Sequence, residues 1–128
     1  MAKAVHFLNG KFITEKDLVV SARDVGFGRG FAVFDYLITY PHHRPFKLAE
    51  HIDRFFNSAN YIDLLIPWTK KQVASWVQET LDKNKSLGEK SIKIIVSGGK
   101  SDTMLPGKPP TIIIIVDPKH EYPRQNYE

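Results

Sequence analysis

The tightest limit on the fold is Thr111-Ile-Ile-Ile-Ile-Val116, where five aliphatic residues follow one another with no polar break. Successive side chains of a strand point to opposite faces, so this run is expected at the centre of a sheet, covered on both sides. Ser91-Ile-Lys-Ile-Ile-Val96 reads as a second strand. Between the two lies Ser97 to Pro110, a stretch with no internal periodicity. Loops of that length in compact domains are usually functional or mobile.

Upstream, Ala4-Val-His-Phe-Leu8 and Lys11-Phe-Ile-Thr14 flank Asn9-Gly10, the dipeptide that supplies the two positive-φ residues of a type I′ hairpin. Val19 to Asp24 reads as irregular and is followed by the glycine-rich Gly26-Phe-Gly-Arg-Gly30. Ala32 to Tyr40 is rich in aromatic and β-branched residues and predicts a strand. Pro41 to Pro45 turns the chain, and Phe46-Lys47 begins a return strand.

Leu48, Ile52, Phe55, Ala59 and Ile62 recur every three or four residues and predict a helix over 48–63. Thr69-Lys-Lys-Gln72 is a capping box that opens a second helix over 69–84, with Val73, Trp76, Val77 and Leu81 as its core face. Trp68 is placed to pack on Val73 as a hydrophobic staple. Strands and helices are segregated rather than alternating. The expectation is therefore α+β: an antiparallel sheet of four to six strands with the two main helices packed on one face. Residues 1–117 form one domain, and the polar segment 118–128 reads as the start of a linker.

Composition narrows the function. With no cysteine there is no disulfide, thiolate zinc site or cysteine nucleophile. The net charge of +4 comes mostly from lysines scattered among fourteen acids, whereas a nucleic-acid face needs clustering. No apolar run approaches the roughly 18 residues that span a bilayer, and Met1-Ala-Lys-Ala-Val5 lacks a signal-peptide core. No nucleic acid, no membrane and a cytoplasmic location are the expectations. None of the five histidines falls in a metal-ligand spacing, so no metal is expected. Gly26 to Gly30 fails as a nucleotide loop, because the dinucleotide fingerprint needs a strand before it and a helix after it, and here a strand follows.

Arg54 stands apart. At 100° per residue it lies roughly 130° from the centre of its helix's apolar stripe, on a flank with His51, Ser58 and Tyr61. Two readings are open: a planar fork offered to a phosphate, or a surface arginine paired with Glu50.

Phe7-Leu-Asn-Gly-Lys-Phe-Ile13, Asp24-Val-Gly-Phe27, Val33-Phe-Asp35 and Glu50-His-Ile-Asp-Arg-Phe-Phe-Asn-Ser-Ala59 occur in order and at suitable spacing. Together they resemble the N-terminal small domain of class IV (fold type IV) pyridoxal-phosphate enzymes. That group includes D-amino acid aminotransferase, branched-chain aminotransferase and aminodeoxychorismate lyase. The resemblance implies pyridoxal 5′-phosphate as cofactor, with Arg54 on its phosphate. It implies a substrate pocket lined by Phe34 and Tyr36, with Asp35 in place of the usual glutamate.

Two arginines that grip substrate carboxylates in the family are missing. Val96-Ser-Gly98-Gly99 replaces a Val-Thr-Arg-Gly segment, and Tyr36-Leu-Ile38 replaces the arginine of branched-chain enzymes. Arg29 or Lys100 is expected to hold the carboxylate instead, with Gly98 also in the pocket wall. By the same resemblance the Schiff-base lysine belongs to a larger C-terminal domain, so the chain is expected to hold no catalytic residue and to be inactive alone. The parent would be a cytoplasmic homodimer exchanging an amino group between an amino acid and a 2-oxo acid. Alternatives are β-elimination, as in aminodeoxychorismate lyase, and a non-catalytic domain that binds a small ligand or a protein.

Overall fold

The structure, a computed structural model, describes residues 3–40, 44–103, 105–106 and 109–119. It is an α+β fold with a six-stranded sheet: β1 (His6–Leu8), β2 (Lys11–Ile13), β3 (Ala32–Tyr40), β4 (Arg44–Pro45), β5 (Lys90–Ser97) and β6 (Thr111–Pro118). Their order is β2-β1-β6-β5-β3-β4, and every pairing is antiparallel. The hairpin forms where Asn-Gly predicts it, with Asn9 at φ 49° and Gly10 at φ 92°.

The isoleucine run is central, between β1 and β5, but only one of its faces is packed by helices. Ile112, Ile114 and Val116 are fully buried, while Ile113 and Ile115 are half-buried. The reason is that α2 (Leu48–Tyr61) and α3 (Lys70–Asp82) both lie on the same side of the sheet. Ile52, Phe55, Val73, Val77 and Leu81 meet Leu37, Ile92, Ile94 and Ile114 there in one apolar cluster. Burial of each such side chain contributes about 1.5–3 kcal/mol. On the opposite face Ile113 is flanked by Ile95 and Leu8, its register partners, so the row shields itself only in part.

The capping box of α3 is formed: Gln72 N–H donates to Thr69 Oγ1 (3.0 Å) and Thr69 N–H to Gln72 Oε1 (2.8 Å). Trp68 packs edge-on against Trp76, with ring centroids 5.6 Å apart.

Two expectations are corrected. The return strand is Arg44–Pro45, because Phe46 already turns and Lys47 takes a left-handed conformation (φ 53°) to start α2. The glycine-rich segment contains a short helix, α1 (Val25–Arg29). Asp24 caps it by accepting Gly26 N–H at 2.8 Å, and Gly30 ends it at φ 70°, a backbone conformation suited to glycine. The segment 118–128 assigned to a linker begins with the last residue of β6, and residues 120–128 lie outside the described residues.

Candidate functional site

β3 has a face on each side of the sheet and one open edge. Asp35, Leu37 and Thr39 point to the helices and are buried, while Phe34 and Tyr36 point the other way, 60% and 50% exposed. Ala32 to Ile38 pair with β5, but β4 pairs only with Thr39 and Tyr40. The first half of β3 thus has a strand on one side only among the described residues, and a ligand lying along that edge could reach both faces.

Arg54 sits at that edge, and its partner is not Glu50. Its Nε donates to Asp35 Oδ2 at 2.8 Å and its Nη2 to Asp35 Oδ1 at 2.7 Å. The Arg54 side chain is 64% exposed, while that of Asp35 is 2% exposed. The arginine is therefore an open group held from below by a buried acid, and its flank of α2 leans toward β3 instead of facing away.

His51, one turn earlier, places Nδ1 2.7 Å from the same Oδ1. That contact requires a proton on Nδ1, since an ionised carboxylate only accepts. The 3.2 Å approach of Arg54 Nη2 to His51 Nδ1 is then a neighbourly contact and not a hydrogen bond. Tyr36 N–H also donates to Asp35 Oδ1, at 2.9 Å, so the acid satisfies an amide of the open edge.

Burial pushes the Asp35 carboxyl up. Hydrogen bonds and charge from Arg54 and His51 more than offset this and hold it below the ordinary carboxylate value. The reciprocal effect raises Arg54. Nη1 and the outer hydrogen of Nη2 remain directed away from Asp35. A planar, always-charged fork with its outer edge open suits a phosphate, so the residues present fit the cofactor's anionic group.

The other proposed pocket residues divide into two groups. Phe34 and Tyr36 share the open face with Lys93, which faces Tyr36 across the strand pair and places Nζ 4.7 Å from the Phe34 ring centroid. Arg29, Gly98 and Lys100 gather at the end of the sheet. Gly98 N–H donates to Phe31 O (3.1 Å), the backbone of Lys100 forms an isolated antiparallel β-bridge with that of Asp24, and Arg29 lies over the Phe31 ring at 5.4 Å.

Gly98 is not interchangeable with arginine here. A Cβ at that position would stand 2.6 Å from Phe31 Cδ2 and from Val25 Cγ2. Beside this end of the sheet lies an apolar cavity of about 470 Å³, bordered by Phe31, Leu64, Leu65, Gly98, Pro109 and Pro110.

Sequence reasoning missed Lys93, whose signal was a single lysine between apolar residues of a strand. It also missed the task of Asp35, an acid in an otherwise apolar run. The scatter of lysines suggested ordinary solvated amines, yet Lys90 is fully buried, bonded through Nζ to Gly88 O, and burial lowers its pKa. It lies at the far end of β5 from Gly98.

The family model for amino-transferase class IV matches residues 32–128. A putative branched-chain-amino-acid aminotransferase of Methanocaldococcus jannaschii is 40% identical over 116 residues, covering 88% of this chain and 39% of that protein. A D-alanine aminotransferase of Staphylococcus epidermidis is 33% identical over 78 residues, covering 61% of this chain and 27% of that protein. In structure the chain resembles the branched-chain aminotransferase of Thermoproteus uzoniensis, with a TM-score of 0.84 at 23% identity. The match covers 96% of this chain and 43% of that one. The chain thus spans about two-fifths of the length of these branched-chain relatives.

Proposed function

We propose an aminotransferase from a plain premise: the chain belongs to amino-transferase class IV. In this reading the whole protein is a pyridoxal-phosphate enzyme that moves an amino group between an amino acid and a 2-oxo acid, and residues 1–117 form one wall of its site. The observation that carries it is the Arg54 fork, gripped by a buried acid on its inner edge and open on its outer edge. The cofactor, when bound, supplies the electron sink that makes the substrate's Cα–H acidic.

This chain's residues bind and orient. Arg54 would hold the phosphate through the outer edge of its guanidinium, the edge not occupied by Asp35. Phe34 and Tyr36 give the open face an apolar floor for the substrate side chain. Arg29 and Lys100, beside Gly98, hold the substrate carboxylate, with Lys93 a third cation near Phe34. A cytoplasmic homodimer goes with this reading and rests on the family resemblance.

The test is phosphate selectivity in the whole protein. Arg54→Ala should weaken pyridoxal phosphate by about tenfold or more while leaving unphosphorylated pyridoxal within about twofold. Equal losses for both ligands, or none, would remove the assignment.

A further inference from the structure

Asp35 is chemically out of place in its strand. It stands between Phe34 and Tyr36, and its side chain enters the helix-covered face where Leu37 is buried. A carboxylate there must be fully satisfied or it destabilises the fold. Four donors meet it: Arg54 Nε, Arg54 Nη2, His51 Nδ1 and the Tyr36 amide. A well-packed apolar group in such a place is often no less stable than a buried ion pair, so stability alone does not account for the acid.

What the acid adds is direction. An arginine on a helix surface samples many rotamers, and ordering it on a ligand costs side-chain entropy. Two bonds to one carboxylate fix the plane of the guanidinium and occupy its inner edge. The outer edge, Nη1 and the second Nη2 hydrogen, is then aimed in advance. The same carboxylate holds the amide of Tyr36, whose ring lies on the opposite face. Clamp and pocket strand therefore share one support.

We propose that Asp35 is a positioning residue for phosphate recognition, acting through Arg54. The inference rests on the reading of Arg54 as the phosphate clamp, and the experiment separates the two. Affinities for pyridoxal phosphate and for pyridoxal are measured in the whole protein for wild type, Asp35→Asn, Arg54→Ala and the double variant. Asp35→Asn should lose about tenfold for the phosphorylated ligand and less than about twofold for pyridoxal. That loss should vanish in the Arg54→Ala background, since the residue it acts through is gone.

Equal losses for the two ligands, or a loss that persists beside Arg54→Ala, overturn the proposal while leaving the clamp intact. No phosphate-selective loss in Arg54→Ala itself overturns the clamp, and the proposal with it. If Asp35→Asn does not fold, the apolar pair Asp35→Leu with Arg54→Met replaces it. This pair should bind pyridoxal phosphate as Arg54→Met does, and any further loss overturns the proposal.

Discussion

Asp24 and Asp35 are both buried acids, 4% and 3% exposed, and they do opposite things with their hydrogen bonds. Asp24 accepts from Gly26 N–H (2.8 Å), Ser97 Oγ (2.6 Å) and Thr111 Oγ1 (2.6 Å). All three donors are neutral and belong to the backbone or to short, buried side chains. The result ties the start of α1 to the ends of β5 and β6, and nothing in it faces outward. Asp35 instead takes donors from a histidine and from an arginine whose far edge is open. Burial of an acid is thus no mark of function by itself. The difference lies in where its donors lead.

Removing Asp24 should be the more damaging change to the fold. Asp24→Ala leaves Ser97, Thr111 and the Gly26 amide without their acceptor and should cost about 3 kcal/mol or more in urea unfolding. The folded fraction should keep its preference for pyridoxal phosphate over pyridoxal. A phosphate-selective loss in this variant would erase the distinction between the two acids.

A smaller effect is expected at Gly98. Gly98→Arg forces a Cβ to 2.6 Å from Phe31 and Val25 and should cost about 1–3 kcal/mol through overpacking. It should also fail to tighten binding of a 2-oxo acid, because Phe31 and Val25 must first move aside. A stable variant with improved affinity would show that this end of the sheet is more yielding than its packing suggests.

The smallest effect is a pH dependence. The folded carboxyl of Asp35 lies below its ordinary value of 3.8, so it binds fewer protons than in the unfolded chain. Its contribution is fully present above that ordinary value and is lost as pH falls through the lowered folded one. Wild type should therefore lose stability more steeply than Asp35→Asn in acid titrations below about pH 4. Parallel slopes would mean that the acid is not held ionised by Arg54 and His51.

What was legible in the sequence was mostly local. Asn9-Gly10, the Thr69–Gln72 capping box and the apolar spacing of both long helices each carry their own geometry, and each formed as read. The missed elements depend on distant partners. α1 contains Gly26 and Gly28, poor helix formers, and its Val25 amide bonds Gly99 O far along the chain. The partner of Arg54 could not be read for the same reason. Glu50 is one turn away and visible at spacing four, while Asp35 is 19 residues upstream on a different element. Arg54, Phe34 and Tyr36 could be named from the sequence as candidates, but what holds Arg54 in place could not.

The most direct measurement is the position at which the cofactor becomes attached. The whole protein is loaded with pyridoxal phosphate, reduced with borohydride and mapped by peptide mass. If this chain supplies the phosphate clamp and not the amine, the label falls on one lysine outside residues 1–128. Stoichiometric label on a lysine within them would contradict the account.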